Sequence, residues 1–132
     1  MKSILVLDDN PQNNSSFVKP LMKFYKVDVA MAISSAERLI HRRRYDLIII
    51  DIMMPIQNLK IDNELLTGFE FYERRIKIEH PNQKVLFWSI LTKKSYDDFF
   101  IDEYNTNIDF IQKNFEDDNH LLKKVQNILK TY

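Results

Sequence analysis

The stretch Leu47-Ile48-Ile49-Ile50-Asp51 sets four consecutive branched apolar residues against an acid. A strand with one wet face alternates apolar and polar residues. An unbroken apolar run needs cover on both faces, as in a parallel sheet flanked by helices. Two more stretches share the pattern: Ile4-Leu5-Val6-Leu7, closed by Asp8 and Asp9, and Val85-Leu86-Phe87-Trp88, closed by Ser89. Two others, Val27-Asp28-Val29-Ala30-Met31 and Ile108-Asp109-Phe110-Ile111-Gln112, alternate. Strands are therefore predicted over Lys2 to Leu7, Lys26 to Met31, Asp46 to Asp51, Lys84 to Ile90 and Ile108 to Lys113. The first, third and fourth belong in the middle of a sheet and the second and fifth at its edges.

Amphipathic segments separate these runs, and strands that alternate with helices imply βαβ units. The expectation is an α/β fold: a doubly wound, flavodoxin-like, five-stranded parallel sheet of order 2-1-3-4-5 with five helices. Asn10 and Pro11 form a cap and first-turn pair, and Leu121, Leu122, Val125, Ile128 and Leu129 give the last helix its buried stripe. Ser34 with Glu37, and Thr67 with Glu70, read as capping boxes, the second backed by a Leu66 and Phe71 staple; helices should start near 35 and 68. Pro20 lies inside the first helix, where it removes the hydrogen bond to the Ser16 carbonyl; a kink or an early end is expected.

The chain of 132 residues, 45% of them apolar, is long enough to bury a core and is read as one domain over 1–132. Acidic and basic residues balance at 19 each, so no global field draws it to nucleic acid or an anionic membrane. Cysteine is absent, which excludes disulfides, thiolate metal sites and thiol catalysis. No run has the length of a signal-peptide core or a membrane span, and a cytoplasmic location is expected. The basic cluster His41-Arg42-Arg43-Arg44 closes a helix, where cations complement the dipole; direct nucleic-acid binding is not expected from it.

In open parallel sheets ligands bind at the carboxyl ends of the strands, near the reversal of strand order. The residues ending the strands are Asp8 and Asp9, Asp51, Ser89 and Lys113. Asp8 and Asp9 taken alone could simply cap the first helix. Taken with Asp51, they make a carboxylate cluster that resists ionisation unless a cation sits among them. Magnesium suits such a site, because it binds through one or two carboxylates, keeps waters and leaves positions for phosphate oxygens. Asp51 can then act as a nucleophile towards phosphorus, with Lys113 neutralising charge and Ser89 donating a hydrogen bond.

At these positions the chain resembles the response-regulator receiver domains of two-component signalling, across essentially its whole length. The matching motifs are Ile4-Leu5-Val6-Leu7-Asp8-Asp9-Asn10-Pro11, Asp51-Ile52-Met53-Met54-Pro55, the hydroxyl of Ser89, and Asp109-Phe110-Ile111-Gln112-Lys113. The resemblance implies that Asp51 is the phosphoacceptor and that Asp8, Asp9, Asp51 and the Met53 carbonyl hold Mg2+. It makes Lys113 the ion-pair partner, Ser89 the switch hydroxyl and Phe110 the aromatic rotamer switch. The implied output surface is the face of the fourth helix, fifth strand and fifth helix. Implied partners are a sensor histidine kinase or phosphotransfer protein and a downstream protein target. The chain would be a monomer or weak dimer, and regulatory, catalysing only its own phosphorylation and dephosphorylation.

Three departures stand out. Pro55 and Gly68 are thirteen positions apart, so the loop over 56–67 is enlarged. Ile90 replaces a usually small residue and, with Met53 and Leu91 flanking the expected approach of water, suggests slow self-dephosphorylation. Asn114 replaces the proline that usually follows the lysine, where a non-proline cis bond costs about 2.5 to 4 kcal/mol.

Two competing readings remain open at this stage. One is a degenerate receiver used as a phosphorylation-independent binding module. The other is a haloacid-type phosphatase, disfavoured because Met53 stands where such enzymes carry a second aspartate. No output domain is visible after the last helix, so output comes from docking on another protein, or the sequence is cut from a longer chain.

Overall fold

The structure is a computed structural model that describes residues 1–8, 10–52, 68, 71–99 and 106–130. Five strands form one sheet: β1 (Ser3–Leu7), β2 (Lys26–Ala30), β3 (Leu47–Ile52), β4 (Val85–Ser89) and β5 (Ile108–Gln112). All pairings are parallel and the order is β2-β1-β3-β4-β5. Each strand lies within a residue or two of its predicted bounds. β3 and β4 are buried along their whole length, while β2 and β5 carry exposed or half-buried residues. The unbroken apolar runs thus marked the centre of the sheet.

Between the strands lie α1 (Pro11–Met22), α2 (Ile33–Arg42), α3, α4 (Lys93–Phe99) and α5 (His120–Leu129). α3 is a π-helical stretch over Tyr72–Ile76 that continues as α-helix over Lys77–Glu79. Pro11 takes the first turn of α1 as expected, and α1 runs only two residues beyond Pro20. The amide nitrogens of Lys23 and Phe24 then close on the carbonyls of Pro20 and Leu21, three residues back, a tightening typical of a helix end.

The capping box at Ser34 does not form. α2 starts at Ile33, its extended cap residue is Ala32, and no side chain caps it. Glu37, which would have reached back to the cap, lies 3.5 Å from Arg75 instead. The Thr67 and Glu70 box lies outside the described residues, as does the loop over 56–67.

Alternation along the strands splits the core into two layers. Leu5, Leu7, Ile48, Ile50, Ile52, Val85 and Phe87 face one way, joined by Ala36 and Ile40 of α2, Tyr72 and Ile76 of α3 and Tyr96 of α4. Ile4, Val6, Leu47, Ile49, Leu86 and Trp88 face the other way, beneath Phe17, Val18 and Leu21 of α1 and Leu121, Val125 and Leu129 of α5. Side chains two apart share a face, so Asp8 and Asp51 continue the second layer beyond Val6 and Ile49. Gly68, the chain's single glycine, sits where an added Cβ would come within 2.9 Å of an Ile50 methyl, a close approach that a larger residue would meet only by moving β3 or the helix.

Candidate functional site

The acids at the strand ends meet beneath the start of α1. Asp8 and Asp51 are both buried, and so is Lys113, the residue after β5. The Lys113 ammonium lies 2.8 Å from Asp51 Oδ1, with both side chains almost wholly out of solvent. It also sits 4.5 Å from the centre of the Trp88 ring, where the face of the indole attracts a cation. The amide of Lys113 donates to the Ser89 carbonyl at 2.6 Å and so carries the β4 and β5 pairing to the site's edge.

Sequence reasoning missed the residue at the centre. Asn14 of α1 is buried, and its Nδ2 donates to Asp51 Oδ2 at 2.8 Å and to Asp8 Oδ2 at 3.1 Å. Its Oδ1 accepts from Lys113 Nζ at 3.2 Å. A signal for it was available: Asn14, Phe17, Val18 and Leu21 follow the spacing of one helical face. A polar residue heading an apolar stripe, one turn after an acid pair, has to find polar partners inside.

Asp51 pairs with a cation and yet is held as a reluctant anion. Burial raises its pKa, Lys113 lowers it and neighbouring Asp8 raises it again, leaving the carboxyl pushed up to about 7. Among the described residues the Lys113 ammonium, 2.8 Å away, is the group that faces Oδ1. A buried carboxylate beside a second buried acid calls for positive charge beyond the single ammonium of Lys113. The pair therefore fits a hard divalent cation that takes few carboxylates and keeps its waters. Among the described residues no three acids or histidines cluster tightly enough to form a metal cage. Asp9 and Met53, the other two expected ligands, lie outside those residues.

Ser89 is brought to the end of β4 but its hydroxyl is not turned to Asp51. Ser89 pairs with Ile52 while Asp51 pairs with Trp88, so by alternation Ser89 belongs to the opposite face. Its Oγ donates to the Ile52 carbonyl at 2.8 Å and accepts from the Leu91 amide at 3.0 Å. Phe110 is buried in the first layer, stacked on Tyr96 at 4.4 Å between ring centres. Leu91 is buried in that same layer, so it does not line an approach for water as the sequence suggested. Ile90 is partly exposed.

A second missed residue braces Lys113 from behind. His120 Nε2 accepts from Trp88 Nε1 at 3.0 Å and from the Asn114 amide at 3.2 Å, and its Nδ1 lies 2.7 Å from the Asp117 carbonyl. Two donors to Nε2 and an acceptor at Nδ1 identify the neutral ring with its proton on Nδ1. The peptide after Lys113 is trans, as are all described peptides. An accepting histidine here fixes the segment after the lysine. Elsewhere, a cleft lined by Lys2, Arg43, Tyr45, Asp46, Glu79 and Lys84 opens at the other end of the sheet and contains none of these residues. No described helix is long and apolar enough to cross a membrane.

Comparison with known proteins agrees with the geometry. The response regulator TrrA from Thermotoga maritima, solved in complex with Mg(2+)-BeF, superposes with a TM-score of 0.71 at 24% identity, covering 97% of this chain and 99% of that one. A second response regulator from Thermotoga maritima gives 0.72 at 23% identity over 99% of both chains. Chemotaxis protein CheY4 of Vibrio cholerae gives 0.70 at 24% identity, over 97% of this chain and 98% of its own. At such identities the likeness establishes the fold. No curated protein sequence matches the chain. The family profile of the response regulator receiver domain, however, matches residues 4–126, from the first strand into the last helix. That match spans well over half of the chain, and the chain belongs to the response regulator receiver domains.

Proposed function

We propose that the chain is a phosphoacceptor switch: Asp51 takes a phosphoryl group from a sensor histidine kinase or phosphotransfer protein, and the phosphorylated chain binds a downstream protein. The observation that supports this most is the Asp51 carboxylate itself, buried beside Asp8, 2.8 Å from the Lys113 ammonium and with its pKa pushed up to about 7 by burial. A buried carboxylate that burial makes a reluctant anion, held beside an ammonium and a second buried acid, is costly as a purely structural pair and suited to a nucleophile.

In the reaction an Asp51 oxygen attacks phosphorus, an acyl phosphate forms, and the bond from phosphorus to the donor's imidazole nitrogen breaks. Lys113 faces the extra charge and neutralises part of it, with Trp88 and Asn14 limiting where the ammonium can go. Asp8, Asp9, Asp51 and the Met53 carbonyl are the residues proposed to hold Mg2+, which supplies Lewis-acid stabilisation of phosphoryl oxygens. Ser89 would leave the Ile52 carbonyl to donate to the new phosphoryl group. Phe110, stacked on Tyr96 of α4, is the proposed second part of the switch and would carry the change to the face of α4, β5 and α5. The region 1–132 acts as one domain in this reading, in the cytoplasm, as a monomer or weak dimer.

TrrA was solved with Mg(2+)-BeF, and that ligand supplies a direct test. Beryllofluoride with magnesium should bind the wild type and not Asp51→Asn, and acetyl phosphate with magnesium should label the wild type alone. Equal labelling of both proteins rejects the phosphoacceptor reading. Absence of both binding and labelling in the wild type leaves the degenerate binding module.

A further inference from the structure

Oxygen surrounds the NH2 group of Asn14. Asp51 Oδ2 lies at 2.8 Å, Asp8 Oδ2 at 3.1 Å, Asp8 Oδ1 at 3.2 Å and the Asn10 carbonyl at 3.4 Å. An NH2 group has two protons to give, so four acceptors exceed what it can satisfy. Such crowding of oxygen, two of the neighbours being buried carboxylates, is the surrounding of a cation and not of a neutral amide. The amide's orientation follows from its neighbours. Exchanging its oxygen and nitrogen would set the oxygen against three carboxylate oxygens and the NH2 against the Lys113 ammonium. Phe17 and Val18, on the same face of α1, are buried against the sheet and fix the backbone of Asn14, so its amide moves by turning about its own side-chain bonds.

We propose that Asn14 is a built-in competitor for the divalent cation: its amide holds the space between Asp8 and Asp51 in the metal-free protein and has to withdraw before an ion binds. This rests on the cation binding of the phosphoacceptor reading. A divalent ion and the positive end of an NH2 group repel each other, so both cannot face the same carboxylate oxygens. Withdrawal also takes the amide oxygen away from Lys113, which removes one of the ammonium's partners as the ion enters. Cation binding and the freeing of Lys113 to meet a phosphoryl group are thereby linked through one side chain. The amide relieves repulsion between the two acids when no ion is present, and lowers the affinity for the ion when one is.

The test is calorimetric titration of magnesium into the full chain as wild type, Asn14→Ala and Asn14→Ser, with thermal unfolding in chelator and in saturating magnesium. Asn14→Ala should bind magnesium about tenfold more tightly than wild type, and Asn14→Ser, which keeps one donor, should fall between them. In chelator the alanine variant should melt below wild type, and saturating magnesium should close that gap. In nitrogen-15 spectra the Asn14 side-chain NH2 signals of the wild type should move on adding magnesium. If alanine prevents folding without metal, the serine variant and the NH2 signals decide. Equal binding constants for wild type and variants overturn the inference and leave the phosphoacceptor reading standing. Weaker binding by the variants also overturns it, since it makes the amide oxygen a ligand. Binding by none of the proteins overturns both.

Discussion

Asp51 and Lys113 approach to 2.8 Å at the carboxyl end of the sheet, and Asp28 and Arg43 to 3.0 Å at its β2 edge. Distance barely separates the two pairs, but their surroundings do. The side chains of the first are 0% and 3% exposed, and those of the second 28% and 54%. At the edge, Tyr45 donates its hydroxyl to Asp28 at 2.7 Å and water reaches both ions. At the site, burial makes the Asp51 charge costly, and Asp8 is a like charge nearby. Burial raises the Coulomb attraction and the desolvation cost together, so a buried pair is costly to break without being a net source of stability. An exposed pair contributes little in either direction. This chain thus holds its costlier pair, buried beside a second acid, at the carboxyl end of the sheet, and its solvated pair at the β2 edge.

The largest effect should come from removing one member of the buried pair. Lys113→Met leaves Asp51 and Asp8 facing each other with only the Asn14 amide between them, and should cost about 3 to 5 kcal/mol in metal-free buffer at neutral pH. Urea unfolding measures it. A loss below about 1 kcal/mol would place this pair in the exposed class and dissolve the contrast.

Next comes the dependence on pH. Burial pushes the Asp51 carboxyl from the ordinary 3.8 up to about 7, against the pull of Lys113. Between those values the native state binds more protons than the unfolded one. Its contribution to stability is therefore complete below about pH 4 and is lost as pH rises through about 7, with a slope approaching about 1.4 kcal/mol per unit. Asp51→Asn removes this term. The difference between wild type and variant, measured in chelator from pH 5 to 8, should favour the variant increasingly as pH rises. A difference that is flat with pH, or that favours the wild type at pH 8, refutes the assignment.

Much of this was legible in the residues because the two strongest constraints are local. Leu47 to Ile50 have no polar partner to offer water, so the run has to be central, and strand order follows from which runs are unbroken. An acid directly after such a run lies at the sheet's carboxyl end, which made Asp8 and Asp51 visible. Lys113 became visible in the same way. Asn14 did not, because the reading of α1 stopped at its Asn10 and Pro11 start and did not ask what headed the buried face. His120 and its two donors are joined across 32 and 6 positions of chain, and no local pattern signals such a contact. The Ser34 box failed because α2 starts at Ile33 after an extended Ala32, which puts Ser34 inside the helix, with Glu37 beside Arg75. Leu91, read as flanking the approach of water together with Met53, is buried with Phe87 and Phe110, a packing that its position two residues after Ser89 does not reveal.

The smallest effect is expected at the exposed pair. Arg43→Ala should cost less than about 1 kcal/mol, and less still in high salt, since both ions are already solvated and screened. Asp28 keeps the Tyr45 hydroxyl, whose pKa stands above its ordinary value because of burial first and the Asp28 hydrogen bond next. That phenol stays protonated and donating throughout the neutral range, so Asp28 is never left without a partner. Its contribution to stability is present below pH 10, the usual range for a phenol, and is lost only above it. Urea midpoints of Arg43→Ala and wild type, at low and high salt, check the point. A cost of about 2 kcal/mol that persists in high salt would mean that this pair, too, is held in a low-dielectric setting. Exposure would then not be what distinguishes the two ends of the sheet.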